Sequence, residues 1–127
     1  MTDVPIYHVC RREEWDAAVS HGSYTGSSQD VADGFIHFSN AQQVAASAAK
    51  HRRGQEGLVL LTVDSETLGA SLKWEASRGG ALFPHLYGDL PLEAVRRVED
   101  LPLGVDGLHI FPAMPDSRSD RQGRAGE

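Results

Sequence analysis

The run Leu58-Val59-Leu60-Leu61-Thr62-Val63 constrains the fold most. It is rich in branched apolar residues and does not alternate with polar ones, so both faces need cover. It predicts a buried central strand with other elements packed on either side. At 127 residues the chain has the length of one domain and can bury a core without covalent staples. The expected organisation is an α+β domain over residues 1–112 and a disordered tail over 113–127, where Pro, Ser, Asp, Arg and Gly leave little to bury.

The other elements follow from local spacing. Residues 5–10 read as a first strand. Residues 11–21 read as a helix, with Trp15, Ala18 and Val19 at helical spacing and Gly22 as its stop. Residues 23–33 are polar and read as loop. A helix capped by Ser39 or Asn40 is expected to run to about Arg53, with Val44, Ala45 and Ala48 as a small-residue stripe. Asp64 and Ser65 open a short turn or helix to Leu68, Leu72-Lys73-Trp74-Glu75 reads as a strand, and Gly79-Gly80 as a tight turn. Residues 82–87 read as extended because Pro84 disfavours helix at Phe83. Leu92–Val98 is open between helix and strand, and Leu108–Ile110 reads as a last short strand.

Chemistry concentrates in three short segments. In Gly34-Phe35-Ile36-His37-Phe38-Ser39, alternation places Phe35, His37 and Ser39 on one face and Ile36 and Phe38 on the other. Ile6-Tyr7-His8-Val9 sets a histidine in an apolar strand, and Leu82-Phe83-Pro84-His85-Leu86-Tyr87-Gly88 adds a histidine and a tyrosine beside a glycine. His8 reads either as a satisfied core histidine or as a ligand-facing group. His37 reads as a ligand-positioning residue. Ser39 lacks an elbow motif and an acidic orienter, so it reads as a helix cap ahead of a nucleophile. Glu75 reads as an edge carboxylate or as one that grips a sugar hydroxyl or steadies a cationic transition state. His85 and Tyr87 read as pocket-lining tips.

Several classes are disfavoured. The formal charge of -6 argues against general nucleic-acid binding, although Lys50-His51-Arg52-Arg53 could serve one phosphate group. No apolar run approaches a membrane span. The N-terminal stretch lacks signal-peptide features, and the single cysteine, Cys10, fits a reducing, cytoplasmic setting. Cys10 shares a strand face with His8, but a nucleophilic pair needs a lowered thiol pKa. No metal is expected: the HExxH pattern is absent, and His8, His37 and His85 are far apart in sequence.

These motifs resemble the small bacterial proteins grouped as domain of unknown function 952. The matching residues are Ile6-Tyr7-His8-Val9, Trp15, Gly22, Tyr24, Gly34 to Ser39, Gln43-Val44, Leu58 to Leu61 with Val63-Asp64, Trp74-Glu75, and Phe83 to Gly88. That family is similar to the ADP-ribosyltransferase-like superfamily, which includes the RNA 2′-phosphotransferases. The resemblance implies a split β-sheet α+β fold with two or three short helices and a cleft for NAD between two small sheets. Tyr7-His8 looks like the first-strand Tyr-His pair of those enzymes, with His8 on a ribose. His37 falls on the second histidine of their His-x-His strand, and Glu75 is the candidate for their glutamate. The chain departs from the pattern in two places. It has Asp33 before the GFIHFS strand where a phosphate-gripping arginine would be sought, and it has no Glu-x-Glu motif.

The resulting expectation is a transferase-like enzyme that binds NAD, ADP-ribose or a related nucleotide. Glu75 and His37 would be catalytic, and Tyr7, His8, Phe35, Ser39, His85 and Tyr87 would bind ligand. A nucleotide-binding or sensing module without catalysis is the first alternative, and a metal-dependent enzyme built on the histidines the second. Elements with rings and a few fixed polar groups suit such a cleft.

Overall fold

The apolar run becomes the middle strand of an antiparallel sheet. In the computed structural model, which describes residues 5–76 and 80–112, β1 (Pro5–Arg11) and β4 (Leu58–Asp64) pair from Pro5↔Asp64 to Arg11↔Leu58. The other edge of β4 pairs with β8 (Val95–Leu101), with a bulge between Thr62 and Val63. Every residue of β4 is buried, as an unalternating strand covered on both faces must be. Full burial of Leu60 or Leu61 contributes about 1.5–3 kcal/mol each by removal of apolar surface from water.

A second antiparallel sheet has the order β3 (Ile36–His37), β6 (Leu82–Leu86), β5 (Leu72–Ala76). A two-stranded ribbon joins β2 (Ser23–Tyr24) to β7 (Leu90–Pro91). The helices are α1 (Arg12–His21), α2 (Ser28–Asp33) and α3 (Val44–His51), with 3-10 segments at Ser65–Ser71 and Leu92–Ala94. The fold is therefore α+β, with small antiparallel sheets and few helices. No helix among the described residues is long and apolar enough to cross a membrane.

β1 divides two cores. Its even positions, Ile6 and Cys10, pack with Trp15, Tyr24, Ile36, Phe38 and Leu86. Tyr7 and Val9 face the other way, toward Val44, Leu58, Leu60 and Leu101. Helix α1 ends where Gly22 turns left-handed at φ 106° and its N–H bonds Ala18.

Several local expectations change. Residues 23–33 hold β2 and α2 where loop was expected, because Ser27 caps α2 and Asp30 reaches back to the Ser27 N–H at 2.8 Å. The strand expected over 35–39 is regular only at Ile36–His37, with Ser39 adding an isolated bridge to Tyr7. Ser39 does not cap α3. Asn40 and Gln43 exchange side-chain bonds to each other's backbone N–H, and α3 begins after that turn and stops at His51. Val19 and Ala45 point to solvent. Leu92–Val98 resolves as a 3-10 turn followed by β8. Leu108–Ile110 forms no strand; His109 makes only a bridge to Leu103. The tail 113–127 and Gly79 of the expected turn lie outside the described residues.

Candidate functional site

The two three-stranded sheets meet at one residue pair. The Tyr7 N–H donates to the Ser39 carbonyl at 2.7 Å, and the Ser39 N–H returns a bond to Tyr7 at 2.8 Å. That bridge places His8 of β1 beside His37 of β3. His8 Nδ1 lies 2.6 Å from the His37 carbonyl, and its Nε2 lies 2.7 Å from the Tyr24 hydroxyl. A carbonyl only accepts, so Nδ1 carries the proton. Burial drives the His8 pKa below its ordinary value, outweighing the Asp30 charge, so the ring is neutral and Nε2 accepts from Tyr24. Burial likewise raises the Tyr24 pKa and keeps its proton in place. His8 is 4% exposed and both its ring nitrogens have protein partners.

His37 is in the opposite state. Its Nδ1 is 2.5 Å from Asp30 Oδ1 and its Nε2 is 3.0 Å from Asp33 Oδ2. Carboxylates only accept, so both nitrogens carry protons and the ring is an imidazolium. The Asp30 hydrogen bond raises its pKa, with Asp33 adding to it against partial burial. Burial would raise the Asp30 pKa, but bonds from the His37 ring and from the Ser27 and His37 N–H groups prevail and hold it at about 2. Sequence reading missed Tyr24, Asp30 and Asp33 as members of this network. The available signal was Ser27-x-x-Asp30, an N-cap spacing inside a stretch rich in turn residues.

A second group sits on the other sheet. Register puts His37 opposite His85 and His85 opposite Lys73, so these side chains share one face with Glu75 and Phe83. His85 Nδ1 lies 2.7 Å from Glu75 Oε1, and the Tyr87 hydroxyl donates to the same oxygen at 2.8 Å. These two bonds hold the Glu75 pKa below its ordinary value, and the Glu75 carboxylate in turn raises that of Tyr87. The Phe35 ring stacks on the His85 ring with centroids 4.2 Å apart and planes at 26°. The His37 ring meets His85 edge-on at 5.6 Å.

A cavity of about 820 Å³ opens between α3 and this face. Tyr7, His8, His37, Ser39 and His85 line it, as do Phe83, Gln43, Lys50 and Arg52. Phe35, Glu75 and Tyr87 do not line it; Phe35 and Glu75 touch the His85 ring that does, and Tyr87 stands behind them against both. Tyr7 is a core side chain at 1% exposure as well as part of the wall. His8, His37 and His85 thus come together in space, but their ring nitrogens turn to different partners. Among the described residues no group of three His, Cys, Asp or Glu side chains is arranged to hold a metal ion. Cys10 is buried and its thiol is pushed up to about 12 by that burial, which removes it as a nucleophile beside His8.

The model of the family described as "Protein of unknown function (DUF952)" matches residues 9–98. The crystal structure of protein CC0527 from Caulobacter crescentus is similar, with 54% identity and a TM-score of 0.81, over 84% of this chain and 93% of that one. Its solution NMR structure matches with 50% identity and a TM-score of 0.74, over 92% of this chain and 95% of that one. No curated protein matches the chain.

Proposed function

This chain belongs to the DUF952 family of proteins of unknown function, and from that premise we propose that it is a transferase-like protein whose cleft binds NAD, ADP-ribose or a related nucleotide. The observation that carries this reading is the cavity of about 820 Å³ walled by Phe83 and His85 on one side and by Lys50 and Arg52 on the other. Pockets of roughly 300–1,000 Å³ suit small-molecule ligands, and the polar lining of this one, with Gln43, Ser47 and the Asp30 and Asp33 carboxylates beside the cations, suits a polar ligand. Lys50 offers a partner for a phosphate, with Arg52 beside it held by the Val9 carbonyl and Gln55, and the ring of Phe83 offers a surface for a base. Two small antiparallel sheets joined at Tyr7–Ser39 agree with a split-sheet architecture like that of the ADP-ribosyltransferases. We place the protein in the cytoplasm on its single cysteine.

Calorimetric and thermal-shift titration with NAD, ADP-ribose and nucleotide 2′-phosphates tests the reading. A ligand that binds only the native state stabilises it by about 2.7 kcal/mol at a hundredfold excess over Kd. The expected result is a rise in melting temperature that is lost in Lys50→Ala and His85→Ala. No rise with any of the ligands overturns the reading.

A binding module without catalysis is the second reading. One observation favours it: every ring nitrogen of His8 and His37 is taken by a protein group, so neither ring is free to act on a ligand. Nucleotide affinity with no product after prolonged incubation would select it over the transferase.

A further inference from the structure

We propose that His85 is the proton-accepting group of the cleft, acting through Nε2, and that Glu75 and Tyr87 are its positioning residues. His85 makes one hydrogen bond through its ring, to Glu75. Glu75 Oε1 can only accept, so Nδ1 at 2.7 Å carries the proton. Nε2 has no hydrogen-bond partner among the described residues, although His85 is 8% exposed and lines the cavity. In the neutral ring that nitrogen presents a lone pair. His8 and His37 do not, since each of their nitrogens meets a protein group.

The ring is held in place from several directions. Phe35 stacks against it at 4.2 Å, and the carboxylate that fixes its tautomer is itself steadied by the Tyr87 hydroxyl at 2.8 Å. A base oriented by a carboxylate, with its second nitrogen turned toward a pocket, is the arrangement used for general-base work in unrelated enzymes. The carboxylate also stabilises the imidazolium that forms when the proton arrives. On this proposal Glu75 acts on the ligand through His85 rather than directly.

The partner atoms rest on the transferase reading above. Nε2 would take the proton of an acceptor O–H as that oxygen bonds to the anomeric carbon of the ribose of NAD. The carbon–nitrogen bond to nicotinamide breaks, and its electron pair leaves on the nicotinamide nitrogen. The proton ends on His85, so the step needs only NAD and an acceptor hydroxyl or water.

Nitrogen-15 NMR of the histidine side chains in the unliganded full-length protein tests the assignment without any substrate. The expected result is His85 in the Nδ1–H tautomer once the ring is deprotonated, turning toward Nε2–H in Glu75→Ala and retained in Glu75→Gln, whose amide oxygen still accepts. Carbethoxylation by diethyl pyrocarbonate with peptide mapping supplies the second measurement. His85 should react faster than His8, and Glu75→Ala should slow it several-fold. Protection by NAD or ADP-ribose supports the proposal and the nucleotide reading together. Fast reaction without protection keeps the proposal and removes the nucleotide reading. An Nε2–H tautomer in the wild type, or a His85 no more reactive than His8, overturns the proposal whether or not the variants fold.

Discussion

Tyr24 donates its hydroxyl to Nε2 of His8 across 2.7 Å, and both side chains are buried. Removing that donor leaves the lone pair of a buried neutral ring without a partner. Tyr24→Phe should therefore destabilise the protein by about 1–3 kcal/mol, the usual penalty for an unsatisfied buried polar group. Urea denaturation measures it, and a change within error of zero would mean that water replaces the hydroxyl.

The two carboxylates on His37 should behave differently although they touch the same ring. Asp30 is 3% exposed and joins the His37 ring, the His37 N–H and the Ser27 cap, whereas the Asp33 side chain is 37% exposed. Asp30→Ala leaves the Ser27 and His37 N–H groups without their acceptor and should cost about 1–3 kcal/mol, while the His37 charge it strands is 40% exposed and can turn to water. Asp33→Ala should cost about 0–1 kcal/mol, as exposed pairs do. Equal costs in a thermal melt would show that burial does not separate them.

Stability should pass through a maximum near the ordinary histidine pKa of about 6.5. The folded pKa of His37 is raised, so its contribution is complete below the unfolded value and is lost as pH rises through the folded one. The folded pKa of His8 is lowered, so the unfolded chain gains a proton first as pH falls below the ordinary value, and stability drops there too. Asp30 adds a loss at lower pH, between its ordinary value and about 2. Unfolding free energies across the neutral range check this. His37→Gln should flatten the alkaline limb and leave the acid limb below neutrality.

Gly26 sits at φ +103°, and a Cβ there would lie 2.7 Å from the Asp30 Cβ and 3.2 Å from Ile36. Gly26→Ala thus meets both backbone strain and a clash with the residue that organises the polar network. The strain alone costs about 1–3 kcal/mol. Gly22 has a similar φ of +106° with nothing within 4 Å of the added carbon, so Gly22→Ala should cost less in a parallel melt.

Cys10 should resist alkylation in the native protein. Its thiol is pushed up to about 12 by burial and it is 0% exposed. Labelling with iodoacetamide at neutral pH should proceed only at the rate of unfolding. Rapid labelling without denaturant would contradict the packing of β1 against Tyr24.

The parts of the fold visible in the sequence were those with one dominant cause. The unalternating run at Leu58–Val63 could only be a covered strand, and it lies between β1 and β8. Trp15 and Ala18 marked the buried side of α1, and Phe83 with Pro84 marked an extended β6. What escaped reading depended on contacts between distant segments. Tyr24 becomes a site residue only because β2 is carried back to His8, and the bridge at Ser39 brings β3 to β1, 29 residues from His8 to His37 along the chain. Asp30 reads as one more polar residue until the Ser27 cap turns its carboxylate inward. Glu75 and His85 were both singled out, but only the pairing of β5 with β6 shows that one holds the other.

Because β1 faces a different interior on each side, its register is fixed by chemistry as well as by backbone bonds. A slip of one residue against β4 would turn every side chain of the strand over. The imidazole of His8 would then lie among Val44, Leu60 and Leu101, away from the Tyr24 hydroxyl and the His37 carbonyl that it bonds in the native register. Tyr7 would displace it from the place where Tyr24 and the His37 carbonyl wait as partners. The misaligned strand would forfeit both bonds of the buried His8 ring, so this one histidine penalises a one-residue slip that the apolar side chains alone would tolerate better.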